Sequence, residues 1–328
     1  MKNKILITGI TGQDGVFLTK RLLSKSPHIQ ILGLTRSNNN DSYYQKLNYL
    51  DNKLDYQNIK LVNTDQNNFD KLNLLIKDYR PDAVFNLTGP SSVYNSVKNP
   101  VDTSKEMITG FLNITNSLIE NKNFCNFFQP SSSEMFNQHI SSGLDENSNL
   151  NPSSSYALSK FYIHKFIDIL RIKYDWCISN GILFNHESEF RDDNYLIMKI
   201  INRAIEIKKD PNLNLIIGSL DHARDWSYAE DIVEAINKLV DLDLGSNYVL
   251  GSGKASSIKD IVEFIFQELN LNWEEHVQVD NKLLRKGEPK SIVSVPSKIL
   301  KEANWKTTTE LNEILSKCIF YKQKIINL

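Results

Sequence analysis

Short apolar runs alternate along the chain with longer stretches in which apolar residues recur every three or four positions. The run over residues 4–8 is β-branched and predicts a strand. It passes straight into Gly9-Ile10-Thr11-Gly12-Gln13-Asp14-Gly15, after which Val16, Leu18, Leu22 and Leu23 keep helical spacing. Further strands are predicted over 29–35, 59–63, 83–87, 125–129 and 177–184, with helices over 103–120 and 155–174. The second helix carries Ile163, Phe166, Ile167 and Leu170 at helical spacing. Strands that alternate with helices of this length imply parallel βαβ units, hence an α/β fold with a doubly wound parallel sheet over residues 1–184.

Beyond Phe184 the pattern loosens. A polar loop is predicted over 185–193, then a helix over 195–207, a strand over 213–217, the segment 221–228 and a helix to about 240. Further elements follow over 248–251, 258–269, 297–303 and from 310 to the end, with no internal repeat and no low-complexity linker. The expected arrangement is a first domain over 1–184, rejoined by segments around 222–250, and a smaller α+β lobe over 185–328 that binds substrate.

Composition narrows the function classes. A chain of 328 residues, 41% hydrophobic, can bury a large core. Its net charge of −1 gives no general attraction to nucleic acid or an anionic membrane, so any anionic ligand must be held locally. No stretch approaches the ~20 apolar residues of a membrane span, and the apolar run at the N-terminus is too short for a signal peptide. Cys125, Cys177 and Cys318 lie far apart without Cys-x-x-Cys spacing. They read as buried thiols of a reducing, cytoplasmic compartment, and no metal site is expected.

Strand, glycine turn and helix together give the glycines a chemical meaning. Gly9 permits the tight turn, Gly12 lets backbone approach a pyrophosphate, and Gly15 allows helix and strand to pack closely. The helix N-terminus then offers free amides and a positive dipole end to phosphate. The second strand ends in Arg36, where NAD-specific folds usually carry an acid; an arginine can pair with a 2′-phosphate, which favours NADP over NAD. Asp65 and Gln66 follow the third strand, from where a side chain can meet the adenine. The fourth strand runs through Leu87 into Gly89-Pro90-Ser91, at the strand ends where open α/β sheets bind ligands.

The stretch from Pro130 to Lys160 handles protons. It reads Pro130-Ser131-Ser132-Ser133-Glu134, then a polar loop, then Tyr156-Ala157-Leu158-Ser159-Lys160. Four-residue spacing stacks the phenol and the ammonium on one helical face. A phenol titrates near 10 in water, so Tyr156 can act as a base only if a cation such as Lys160 stabilises the phenolate. Ser132 and Glu134 are two positions apart, which would put both on one side of an extended segment.

These residues resemble the GDP-mannose 4,6-dehydratase family, within the extended short-chain dehydrogenase/reductases, along nearly the whole chain. The resemblance rests on residues 7–15, Ser131 to Met135, Tyr156 to Lys160, Asn180-Gly181-Ile182-Leu183-Phe184-Asn185-His186-Glu187-Ser188, and Arg224-Asp225-Trp226. The run from Asn180 to Ser188 and the Gly-Gln-Asp-Gly turn set this family apart from sugar epimerases, which share the glycine turn and the Tyr/Lys pair. The resemblance implies a Rossmann-type NADP-binding domain, with Gly9, Thr11, Gly12, Gln13, Asp14, Gly15, Arg36, Asp65, Gln66, Leu87, Tyr156, Lys160, His186 and Arg191 at the cofactor. It places Ser91, Asn185, Lys199, Arg224, Arg285 and Glu288 at the nucleotide sugar.

The chemistry so implied is an internal redox dehydration. Tyr156 takes the O4 proton as hydride leaves C4, and Ser132 hydrogen-bonds the same oxygen. The ketone at C4 makes the C5 proton acidic, so Glu134 removes it and then protonates the departing C6 hydroxyl; the hydride returns to C6. A homodimer or homotetramer is implied as well. The sequence departs from the family pattern at Phe136-Asn137, Thr88-Gly89-Pro90, Asp102 and Glu189-Phe190-Arg191-Asp192, which fits a dehydratase whose sugar differs from mannose or a member that oligomerises differently. Two alternatives keep the fold: an NADP-dependent nucleotide-sugar 4-reductase or epimerase, and a non-catalytic NADP-binding subunit.

Overall fold

A computed structural model describes residues 2–90, 93–136, 143–284 and 289–326, with the backbone alone at 93–95. The first half runs β1 (Lys4–Thr8), α1 (Gln13–Lys25), β2 (Gln30–Thr35), α2 (Asp41–Leu50), β3 (Ile59–Asn63), α3 (Phe69–Tyr79), β4 (Ala83–Asn86), α4 (Val93–Lys98), α5 (Pro100–Glu120), β5 (Asn126–Ser132), α6 (Ser155–Tyr174) and β6 (Ile178–Leu183). The second half runs β7 (Asn185–Glu187), α7 (Leu196–Lys209), β8 (Leu215–Ile217), β9 (Ala223–Tyr228), α8 (Ala229–Asp241), β10 (Asn247–Leu250), β11 (Ala255–Ser257), α9 (Ile258–Glu268), α10 (Trp273–His276), β12 (Val277–Val279), β13 (Ser291–Ile292), α11 (Ser297–Ala303) and α12 (Leu311–Ile326).

Seven of the strands form one parallel sheet in the order β10-β6-β5-β4-β1-β2-β3. The order reverses between β1 and β4, which opens a crevice at the carboxyl ends of the strands. This is the doubly wound α/β fold that the alternating pattern predicts. Period-two alternation splits the sheet residues between two cores. Ile5, Ile7, Ile31 and Phe85 face α1 and α8, while Leu6, Leu32, Val84 and Phe127 face α3, α5 and α6.

A smaller sheet, β11-β9-β13 with β7 beside β9, sits over the carboxyl edge, and β8 pairs with β12. The segment around 222–250 divides between the two: β9 centres the small sheet, whereas β10 pairs with β6 in the large one. The C-terminal helix α12 packs against α7 and α9.

The structure corrects three expectations. Residues 185–187, predicted as polar loop, form β7 instead, with Asn185, His186 and Glu187 opposite Trp226, Ser227 and Tyr228. Their neighbours are polar because they make buried hydrogen bonds: Ser188 Oγ donates to Gln13 Oε1 at 2.8 Å, and the Tyr228 hydroxyl donates to Glu189. The fifth strand runs on to Ser132, and a 3-10 turn over Ser133–Met135 replaces the extended segment expected at Glu134. Cys125 and Cys318 are buried, as expected, but Cys177 is only half-buried. Two crossover helices, α2 and α3, fill stretches left unassigned by the hydrophobic pattern. Among the described residues no helix is long and apolar enough to cross a membrane, and no cluster of potential metal ligands occurs.

Candidate active site

The carboxyl ends of β1, β2, β4, β5 and β6 open into a cleft of about 740 Å³. A buried polar ladder fixes its floor. Thr8 Oγ1 donates to Asn86 Oδ1 at 2.7 Å, Asn86 Nδ2 donates to Gln129 Oε1 at 2.7 Å, and the Thr88 amide donates to Thr8 Oγ1 at 3.1 Å. Three strand ends are thereby held in register directly beneath any ligand.

The glycine turn forms one wall. Gly9 has φ +66°, in the left-handed region, and a Cβ there would meet the Leu87 backbone at 3.0 Å. A Cβ on Gly15 would come within 2.3 Å of the Ile10 carbonyl oxygen, so only glycine lets α1 begin so close to β1. Gly12 is the N-cap of α1 and supplies no side-chain cap, which leaves first-turn amides directed at the cleft. That is an anion site of the kind a dinucleotide pyrophosphate fills. At the neighbouring end of β3, Gln66 lines the cleft, and its buried Oε1 has no hydrogen-bond partner among the described residues. An acceptor left open there fits an adenine amino donor. The residues present therefore fit a nicotinamide dinucleotide.

Deeper in the cleft, Ser132 closes β5 and its Oγ accepts from the Glu134 amide at 3.2 Å. The 3-10 turn, rather than an extended strand, carries the Glu134 side chain into the cleft beside Ser132 and Tyr156. Tyr156 and Lys160 occupy one buried face of α6, each 7% exposed, with the Lys160 Nζ 5.8 Å from the phenol ring centre. Lys160 Nζ donates to the Pro130 carbonyl at 2.9 Å, which points it along the cleft floor.

Burial acts on both groups. It pushes the Tyr156 phenol up to about 12, against a hydrogen bond to Ser132 that pulls the other way. It also pulls the Lys160 ammonium down to about 8, although Asp14 opposes that. Burial thus favours the neutral phenol.

A charged cluster connects this end of the cleft to the glycine turn. His186 approaches Asp14 with Nε2 at 3.2 Å and the Phe184 carbonyl with Nδ1 at 2.9 Å. Burial lowers the His186 pKa, but the charge and hydrogen bond of Asp14 outweigh it and leave the pKa raised. Burial likewise raises Asp14, and His186 with Arg191 outweighs it, so Asp14 lies below its usual range. Arg191 Nε lies 3.4 Å from the buried Glu187 carboxylate, and its guanidinium stacks 3.6 Å from the Tyr195 ring centre.

The cleft thus brings together Gly9, Thr11, Gly12, Gln13, Asp14, Gly15, Arg36, Asp65, Gln66, Leu87, Ser132, Glu134, Tyr156, Lys160, Asn185, His186, Arg191 and Arg224. Lys199 is not among its lining residues. It lies on the exposed face of α7, whose opposite side buries Ile197, Ile200 and Ile201. Ser91, Arg285 and Glu288 fall outside the described residues. Sequence reasoning missed Glu106 and Tyr195, which also line the cleft. Arg36 Nη1 donates to Glu106 Oε1 at 2.8 Å across 70 residues of chain, a contact with no local signature.

The family model for GDP-mannose 4,6 dehydratase matches residues 6–318. The chain belongs to this family. It is 32% identical over 310 residues to GDP-mannose 4,6 dehydratase 1 of Arabidopsis thaliana, covering 92% of this chain and 84% of that protein. A Vibrio cholerae GDP-mannose 4,6-dehydratase is 26% identical over 354 residues, covering 99% and 95%. The relatives' name is that of a hydro-lyase, so this is an enzyme family of lyases.

Among solved structures, a dTDP-glucose 4,6-dehydratase from Streptomyces venezuelae with NAD and TYD bound superposes with a TM-score of 0.84 at 18% identity, covering 98% of this chain and 97% of that one. RMD from Pseudomonas aeruginosa, complexed with NADPH, superposes at 0.79 with 19% identity, covering 98% and 99%. A UDP-glucose 4-epimerase from Thermotoga maritima with UDP-glucose reaches 0.84 at 17% identity, covering 98% and 99%. At these identities the likeness shows the fold, one shared by dehydratases and epimerases alike.

Proposed function

We propose that this member of the GDP-mannose 4,6-dehydratase family converts GDP-mannose, or a close GDP-hexose or heptose, to its 4-keto-6-deoxy derivative, with NADP as resident cofactor. The observation that carries the reading is the convergence of Ser132, Glu134, Tyr156 and Lys160 on one cleft beside the uncapped N-terminus of α1. A bound dinucleotide would supply the reversible hydride acceptor. Tyr156 then accepts the O4 proton, with Lys160 adding charge along the cleft floor and Ser132 orienting the same oxygen. Glu134 takes the C5 proton and passes it to the C6 hydroxyl, which departs as water; hydride return to C6 is then matched by a proton that C5 regains from a solvent-exchanging group.

A simple reductase or epimerase needs no acid at position 134, so the placement of Glu134 in the cleft favours elimination. Arg36 at the rim supports a 2′-phosphate, and Arg224 with Asn185 supports the substrate diphosphate. Exposed apolar side chains on α5 and α6, Val101, Leu158, Ile169 and Ile172, support a homodimer or homotetramer. We place the enzyme in the cytoplasm, consistent with its three free thiols.

Purified protein with GDP-mannose is expected to give the 4-keto-6-deoxy product with no net change in dinucleotide, and to place deuterium at C5 in heavy water. Glu134→Gln is expected to slow product formation by roughly 10²- to 10⁴-fold and to remove the C5 label, while transient nicotinamide reduction persists. If no GDP-, dTDP- or UDP-hexose in a panel yields a keto product, the dehydratase reading is overturned.

A further inference from the structure

We propose that Glu106 sets the dinucleotide preference of this site: by pairing with Arg36 it cancels the charge offered to a ribose 2′-phosphate and leaves NADP only a modest advantage over NAD. The inference rests on the reading above that Arg36 faces the 2′-position. Arg36 follows β2 and Glu106 lies in the second turn of α5; both line the cleft, and their side chains meet at 2.8 Å. Arg36 has 65% of its side chain in solvent and Glu106 has 31%, so the pair is open to an incoming ligand. Asp65 lines the cleft as well, and the cleft's other described cations are Lys160 on α6, Arg191 beside Glu187 and Arg224 on β9.

The pair is neutral as it stands. A 2′-phosphate brings about −1.5 to −2 charges, as any phosphomonoester does near neutral pH, and must meet the Glu106 carboxylate together with the guanidinium. An unphosphorylated ribose brings a hydroxyl that can donate to that carboxylate. Open α/β folds usually supply such an acid from the end of β2. Here the end of β2 holds the arginine, and a helix on the far side of the crevice supplies the acid. Each ligand thus finds one favourable partner, and discrimination between them is compressed.

The test measures dissociation constants by calorimetry for NADP and NAD on dinucleotide-stripped enzyme, for the wild type, Glu106→Gln and Arg36→Ala, at low and high salt. Removing one charge at contact distance in water is worth about fivefold, and more against a dianion, until salt screens it. Glu106→Gln is therefore expected to tighten NADP about five- to tenfold at low salt and to leave NAD unchanged or slightly weaker, a gain that shrinks at high salt. Arg36→Ala is expected to weaken NADP about tenfold and NAD little. If Glu106→Gln leaves the NADP-to-NAD ratio within twofold of wild type while Arg36→Ala lowers it, the role of Glu106 is wrong and the placement of Arg36 stands. If Arg36→Ala leaves the ratio unchanged, the placement of Arg36 fails and the inference falls with it.

Discussion

At the chemistry end of the cleft Ser132, Tyr156 and Lys160 are 8%, 7% and 7% exposed, whereas at the opposite rim Arg36 keeps 65% of its side chain in solvent. The two ends consequently use charge differently. Burial moves the Tyr156 phenol and the Lys160 ammonium toward their neutral forms, so any charge added there by a ligand acts at short range in a dry environment. At the rim an ion pair works through water, is screened by salt, and can be exchanged at little cost to folding. Side chains on strand ends and a buried helix face cannot drift without disturbing the core. Rim residues can, and Glu106 is such a residue.

The comparison breaks most readily at Tyr156. If the buried end alone carries proton transfer, Tyr156→Phe is expected to lower kcat by roughly 10²- to 10⁴-fold with little change in dinucleotide affinity, since a phenyl ring fills the same space. Steady-state rates and NADP binding by calorimetry check both halves. A variant that kept wild-type turnover would assign the base to another group and dissolve the distinction between the two ends.

The glycine wall that joins the ends offers a second test. Gly15→Ala places a methyl within 2.3 Å of the Ile10 carbonyl oxygen, against backbone that cannot rotate away. Overpacking of this kind costs about 1–3 kcal/mol, read as a lowered Tm, and it pushes the N-terminus of α1 away from the crevice. Weaker dinucleotide binding is expected to accompany the lost stability. An unchanged Tm would mean that α1 and β1 separate freely, contrary to the packing described.

Whether a feature could be read in the sequence depended on how far along the chain its parts lie. The Gly9-to-Gly15 turn and the Tyr156/Lys160 pair sit in fixed local spacing, so turn chemistry and helical period revealed them, and the alternation of apolar runs gave the doubly wound sheet. The two-position spacing of Ser132 and Glu134 predicts an extended segment, whereas a 3-10 turn brings the Glu134 carboxylate to the cleft. Residues 185–187 read as loop because His186 and Glu187 are polar, and only burial partners 172 residues away or across β9 make a polar strand stable there. The Arg36–Glu106 pair joins two separate crossovers and leaves no periodic trace. Lys199 matched a family position, yet the apolar face of α7 turns it outward.

The smallest expected effect concerns the partly buried ion pair between the glycine turn and β7. The His186 ring meets acceptors at both nitrogens, the Phe184 carbonyl and an Asp14 carboxylate oxygen, and both can be satisfied only by the protonated ring. Its folded pKa lies above the ordinary value, so the stability it contributes is complete below about 6.5 and is lost as pH rises through the folded pKa. Asp14 has a lowered pKa, so its contribution holds above the ordinary carboxylate value and is lost as pH falls through the depressed one. The pair therefore stabilises the fold between those two limits. In Asp14→Asn the opposing charge is gone while burial remains, and the His186 pKa is expected to fall below its ordinary value, read by NMR titration of the ring. The stability difference from wild type is expected to narrow as pH rises past the wild-type His186 pKa. Should His186 titrate no lower in the variant, burial would not dominate there, and the contrast between a dry chemistry end and a wet rim would have to be redrawn.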